Sequence, residues 1–135
     1  MKKEQEPSIQ WVLLVTEHYQ ESRTFYHDLL GFQIVREVPE EEFCQFSLSN
    51  CFLAIYGRKH LGKLVGEEHL GQPGSAIYSF PETNNIDGDY HELVNKGVTF
   101  IKEPQTQTWG QRTAYFTDPD GHIWEIQQWI TKPQG

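Results

Sequence analysis

Two cysteines in 135 residues, Cys44 and Cys51, are too few for the disulfide framework on which small secreted domains rely. Long apolar runs are also missing. The longest near the start, Val12-Leu13-Leu14-Val15, is far too short to span a bilayer, and Met1 to Pro7 holds no apolar stretch of the kind an export signal needs. A reduced, cytoplasmic protein with no membrane partner is the expectation. Positive charge is scarce as well: 11 Lys and Arg stand against 19 Asp and Glu, a formal charge of −8. That balance argues against nucleic acid, whose binding rests on Lys and Arg neutralising phosphates, and favours a cationic ligand. The chain has no Gly-x-Ser-x-Gly elbow, no Gly-rich phosphate loop, and no cysteine placed by motif beside a histidine.

What is present is enough apolar and aromatic residue, 37% and 13%, to bury a core within one domain covering residues 1–135. The pattern says the same thing twice. A strand over Ile9–Val15 leads to an amphipathic run from Tyr19 to Leu30, a cap glycine at Gly31, and a strand over Phe32–Arg36. A strand over Ser75–Phe80 leads to a helix over Ile86–Asn95, a cap glycine at Gly97, and a strand over Val98–Lys102. Each half then closes with a hairpin, Phe43–Leu48 with Cys51–Tyr56 and Arg112–Thr117 with His122–Trp129. The glycines lie 66 residues apart (97 − 31), about half the chain, so the reading is a duplicated β-α-β-β-β module. The modules cover about residues 8–57 and 74–130; the Gly-, Lys- and His-rich segment 58–73 joins them and shows no strand alternation.

The first hairpin assigns faces. A turn at Ser49-Asn50 pairs Leu48 with Cys51, Ser47 with Phe52, Phe46 with Leu53, Gln45 with Ala54 and Cys44 with Ile55. Cys44, Phe46, Leu48, Cys51, Leu53 and Ile55 then form an apolar face that packs on helix, while Gln45, Ser47, Phe52, Ala54 and Tyr56 form a mixed face suited to a lined cleft. Cys44 and Cys51 are not partners in this register and read as buried thiols. In the second half, Asp118-Pro119-Asp120-Gly121 reads as a tight turn, and Glu125 stands alone on the face that Trp124 and Ile126 avoid.

Phe25-Tyr26-His27-Asp28-Leu29-Leu30-Gly31-Phe32, the Asp118 to Glu125 segment and the duplication together resemble the vicinal oxygen chelate superfamily of glyoxalase I, bleomycin-resistance proteins, fosfomycin-resistance enzymes and extradiol dioxygenases. The resemblance covers about Ser8 to Trp129 and implies an α+β fold in which two tandem modules form a partly closed, barrel-like cleft. It also implies homodimers. In enzymes of this kind a divalent metal is held from the first and last strands of each module. Carried over, those positions fall on Gln10, Ala54, Ser75 and Glu125. A catalytic metal wants three or four His, Asp or Glu donors, and only Glu125 qualifies, so no cofactor is expected; metal at Gln10 and Glu125 is the alternative. The dioxygenase branch places a Tyr three residues before Asp-Pro, where Tyr115 stands, but the positions for its histidine hold Thr106, Gln107 and Thr108.

The histidines read as surface: His18, His27 and His91 on helices, His60 and His69 in the connecting segment, His122 exposed in the turn. The candidate ligand-binding set is Gln10, Val12, Gln45, Phe52, Ala54, Tyr56, Ser75, Trp109, Gln111, Tyr115 and Glu125. Val12 shares its place with Trp11, depending on register. Aromatic walls with one acid suit a flat or cationic small molecule. The expectation is a small-molecule-binding protein of the bleomycin-resistance type. The alternatives are a metal-dependent lyase or isomerase like glyoxalase I, and a metal-free enzyme using Glu125 as general base.

Overall fold

The computed structural model describes residues 6–131, so most of the Met1 to Pro7 reading lies outside the described residues. The chain folds as two compact units that divide between Leu70 and Gly71. In the first, β1 (Trp11–Thr16) leads to α1 (Tyr19–Thr24), followed by β2 (Gln33–Val38), β3 (Phe43–Ser47), β4 (Phe52–Gly57) and α2 (Arg58–Val65). In the second, β5 (Ile77–Ser79) leads to α3 (Ile86–Asn95), then β6 (Phe100–Thr106), β7 (Gln111–Thr117) and β8 (Ile123–Trp129). The sheet orders are β1-β4-β3-β2 and β5-β8-β7-β6, the same topology twice. In each, the first strand runs parallel to the last and the remaining pairs are antiparallel. The strands thus form two four-stranded sheets, and no ladder among the described residues closes them into a barrel.

One face of the first sheet carries Leu14, Cys44, Phe46, Leu53 and Ile55, all buried. The residues after α1 cover it. Tyr26, fully buried, places its ring 5.6 Å from Phe46 and 5.7 Å from Phe32. Each large apolar side chain buried this way contributes about 1.5–3 kcal/mol. Here the helix widens into a π turn over Phe25–Leu29, with Leu30 N–H donating to the Phe25 carbonyl at 3.0 Å. The wide turn lets neighbouring Phe25 and Tyr26 both point inward, edge to face at 5.1 Å. Gly31 and Gly97 end the two helical segments at φ +75° and +101°, a conformation that favours glycine.

The second core mirrors the first. Phe116, fully buried, lies 5.3 Å from Phe100, which meets Tyr90 of α3 edge-on at 4.7 Å, and Phe80 stacks on Trp124 at 5.0 Å. The α3 start is held by Asn85, whose side-chain oxygen accepts from Gly88 N–H at 3.1 Å.

Two strand bounds are corrected, and the joining segment gains a helix. Segment 58–73 opens with α2, where Arg58 accounts for the order: it reaches Glu17 at 3.6 Å, Glu67 at 2.9 Å and the Leu70 carbonyl at 3.2 Å. These are long-range ties that periodicity does not record. β6 runs through Pro104 to Thr106 instead of stopping at Lys102, because it is an edge strand and an edge tolerates a missing N–H. β5 begins only at Ile77, which leaves Ser75 outside it.

Candidate functional site

The hairpin register is the one the sequence predicts, with Ser47 opposite Phe52, Gln45 opposite Ala54 and Cys44 opposite Ile55. The sheet face turned away from the helix in the first unit therefore carries Trp11, Phe52, Ala54, Tyr56, Gln45 and Phe43. It is an aromatic surface: Trp11 lies 5.1 Å from Phe52, Phe43 meets Tyr56 edge-on at 5.3 Å, and His60 of α2 stacks parallel on Tyr56 at 6.3 Å. Arg36 sets its guanidinium 5.4 Å over Phe43. Ala54 and Gln45 are buried among these groups.

Two first-unit members of the candidate set lie elsewhere. Val12 pairs with Leu53 and so shares the helix-facing side, leaving Trp11 as the residue on the aromatic face. Gln10 is exposed just before β1, and its backbone carbonyl accepts from Phe52 N–H at 2.7 Å. The register puts Leu13, not Gln10, beside Ala54.

The second unit presents hydrogen-bonding groups in the equivalent place. Glu125 stands on β8, flanked in register by Ser79 of β5 and Tyr115 of β7. Ser79 Oγ donates to Glu125 Oε1 at 2.6 Å, and the Tyr115 hydroxyl donates to Oε2 at 2.7 Å. Distances this short mark charge-assisted bonds to a carboxylate. Burial, with the adjacent Glu125 carboxylate, raises the Tyr115 phenol above its ordinary value against an opposing hydrogen bond with Thr113. Further along the same face an amide relay holds an indole: Trp109 Nε1 donates to Gln111 at 2.9 Å, Gln111 to Gln127 at 3.0 Å, and Gln127 to the Phe80 carbonyl at 3.3 Å. Trp109 remains 58% exposed, so its ring is oriented by the relay yet open to contact.

Ser79 and Gln127 are the residues that sequence reasoning missed. The 66-residue offset, applied to Leu13, points to Ser79; the family-derived position, Ser75, is exposed and outside the strand. His122 is a correction: it is buried in the turn instead of exposed. The Asp118 side chain accepts from the N–H groups of Asp120 at 3.0 Å and His122 at 2.8 Å, and Asp118 N–H donates to the His122 carbonyl at 3.1 Å. This wrapping draws residue 122 inward and fixes the start of β8, three residues before Glu125.

A divalent metal does not fit these side chains. The row across the first sheet is Leu13, Ala54, Gln45 and Arg36, which offers no His, Asp or Glu. The row across the second offers Glu125 alone, with both oxygens accepting from hydroxyls. Among the described residues no three His, Cys, Asp or Glu side chains converge.

Comparison with known proteins agrees with the duplicated topology. A family model described as Glyoxalase/Bleomycin resistance protein/Dioxygenase superfamily matches residues 8–126. The uncharacterized protein YraH of Bacillus subtilis is 28% identical over 123 residues, 88% of this chain and 96% of its own. A crystal structure of a glyoxalase/bleomycin resistance protein/dioxygenase from Nocardioides superposes with a TM-score of 0.79 at 26% identity, covering 97% of this chain and 90% of that one. Lactoylglutathione lyase from Agrobacterium tumefaciens shares the fold, with a TM-score of 0.74 at 15% identity over 92% of this chain and 95% of that one. Two copies of one sheet-and-helix unit, a family model spanning nearly all of the chain, and close structural likeness leave one assignment: the chain belongs to the glyoxalase/bleomycin resistance protein/dioxygenase superfamily.

Proposed function

We propose that this protein binds a small cationic or flat molecule on the hydrogen-bonding face of its second unit, with Glu125 as the group that pairs with the ligand's positive charge and no divalent metal taking part. The single observation that carries this reading is the pair of short bonds from Ser79 and Tyr115 into Glu125. An ionised carboxylate has about four acceptor positions. Two are filled here by donors that fix its orientation, and the rest remain for a ligand. The oriented Trp109 ring adds a stacking surface, where a cation over the indole gains about 0.5–2 kcal/mol. Binding between two copies of the chain, as a homodimer, belongs to the same proposal.

The donor set speaks against a metal-dependent lyase or isomerase, since Leu13 and Ala54 cannot ligate. Proton abstraction by Glu125 is the weaker metal-free reading, because two hydroxyl donors stabilise the charge that a general base must give up.

Titration with benzyltrimethylammonium, followed by tryptophan fluorescence, tests the proposal against the neutral isostere neopentylbenzene. The expected result is preference for the cation, lost in Glu125→Gln and unchanged by a chelator. Equal binding of both probes, or a metal content near one per chain in freshly purified protein, would sink it.

A further inference from the structure

The second strand of each unit breaks register at the same place. Besides a further shift in β6 between Lys102 and Gln105, the pairing of β2 to β3 shifts between Ile34 and Arg36, and that of β6 to β7 between Phe100 and Lys102. These positions are again 66 residues apart (100 − 34 and 102 − 36), so the bulge is duplicated with the module. A bulge inserts an extra residue, here Val35 and Ile101, and re-aims the side chain that follows it. Without it, Ile34 and Arg36 would share a face, as residues two apart on a strand do.

What the bulge accomplishes is visible in the first unit. Arg36 lies opposite Gln45, and its guanidinium rests over Phe43, on the face that carries Phe43, Tyr56 and Ala54. The helix-facing Ile34 pairs with buried Phe46 on the opposite side. The same shift in the second unit sets Lys102 opposite Tyr115, and cross-strand partners share a face. Ser79, Glu125, Tyr115 and Lys102 therefore stand in one row across the second sheet: hydroxyl, carboxylate, phenol, ammonium. Lys102 is exposed and makes no ion pair among the described residues.

We infer that Lys102 is the second half of the binding site, taking the anionic end of a zwitterionic ligand whose ammonium pairs with Glu125. This rests on the reading of Glu125 as the cation-binding group and names the ligand class. Neighbouring strands lie about 4.8 Å apart, so the two residues are separated by about 10 Å at the backbone. With both side chains standing roughly perpendicular to the sheet, the charged ends keep that spacing, and two charge-assisted contacts of about 2.8 Å leave about 4 to 6 Å between the ligand's charges. An α-amino acid is too short for that span. An ω-aminocarboxylate with three methylenes between its charged groups fits.

The test is a series of probes, glycine, β-alanine, 4-aminobutyrate and 6-aminohexanoate, with butylamine and butyrate as single-charge controls, titrated while backbone amide shifts are followed by NMR. 4-Aminobutyrate should bind most tightly, at least about tenfold better than either control. Lys102→Gln should lose that tenfold while Lys102→Arg retains it. Because Lys102 is an exposed residue on an edge strand, its replacement leaves the fold in place. Butylamine binding as well as 4-aminobutyrate, or Lys102→Gln leaving the series unchanged, overturns the inference. Glu125→Gln separates the two levels. If it abolishes butylamine binding while Lys102→Gln changes nothing, the cation site stands and the zwitterion falls; if it leaves butylamine binding intact, the cation site falls as well.

Discussion

The bond between Tyr115 and Glu125 can be measured by a double-mutant cycle of Tyr115→Phe, Glu125→Gln and the pair. The hydroxyl donates at 2.7 Å to a carboxylate, and both residues are half-buried. A hydrogen bond to a charged group is worth about 1.5–3 kcal/mol, and partial exposure places this one at or just below the low end. Each single variant should lose about 1–2 kcal/mol in urea denaturation at neutral pH. The coupling should be about 1 kcal/mol, because Gln keeps the volume and an acceptor but loses the charge. Phe at position 115 keeps the ring and its packing, so the cycle isolates the hydroxyl. The pH dependence gives a second reading. Burial and Glu125 raise the Tyr115 phenol, so its contribution is fully present below an ordinary tyrosine pKa of about 10 and is lost as pH rises through the higher folded value. Tyr115→Phe should therefore make the alkaline fall in stability shallower. A coupling within about 0.3 kcal/mol of zero would refute the claim that the two groups act as one unit.

Two further outcomes follow from geometry. Gly110→Ala should destabilise more than Gly97→Ala in thermal denaturation, although both have positive φ: a Cβ at Gly110 meets the Thr131 carbonyl at 2.7 Å, while at Gly97 it meets nothing within 4 Å and costs about 1–2 kcal/mol of backbone strain alone. Arg23 donates to Glu37 at 2.8 and 2.7 Å and holds its carboxyl below the usual carboxylate value, so that stabilisation is present above about pH 4.3 and lost as pH falls through the lower folded value. Glu37→Gln should flatten the acid limb of the stability profile; an unchanged limb would assign it to other groups.

Much of the architecture was legible because it is written in local periodicity. The α3 bounds, both cap glycines and the register of the first hairpin are set by residues near one another in sequence, where turn chemistry and side-chain alternation speak directly. The site was legible in part. Glu125 and Tyr115 stand out as polar groups on strands whose other faces are apolar. Ser79 did not, because its role comes from lying beside Glu125 in a parallel pairing 46 residues away, and no local pattern sets that register. Gln10 and Val12 were misplaced by the same uncertainty, since a single step along a strand exchanges its faces. The order of α2 and the burial of His122 depend on side-chain ties, from Arg58 and Asp118, that spacing alone does not show.

The duplicated irregularity in β2 and β6 also bears on how the protein behaves when crowded. Both strands end a sheet, and a straight, uninterrupted sheet end is a template on which another polypeptide can continue pairing. An offset in mid-strand, followed directly by Arg36 or Lys102, deprives an incoming segment of a continuous row of partners and obliges it to desolvate a charge. Straightening β2 by deleting Val35, its one register shift, would therefore trade a specific geometry for a surface prone to self-association.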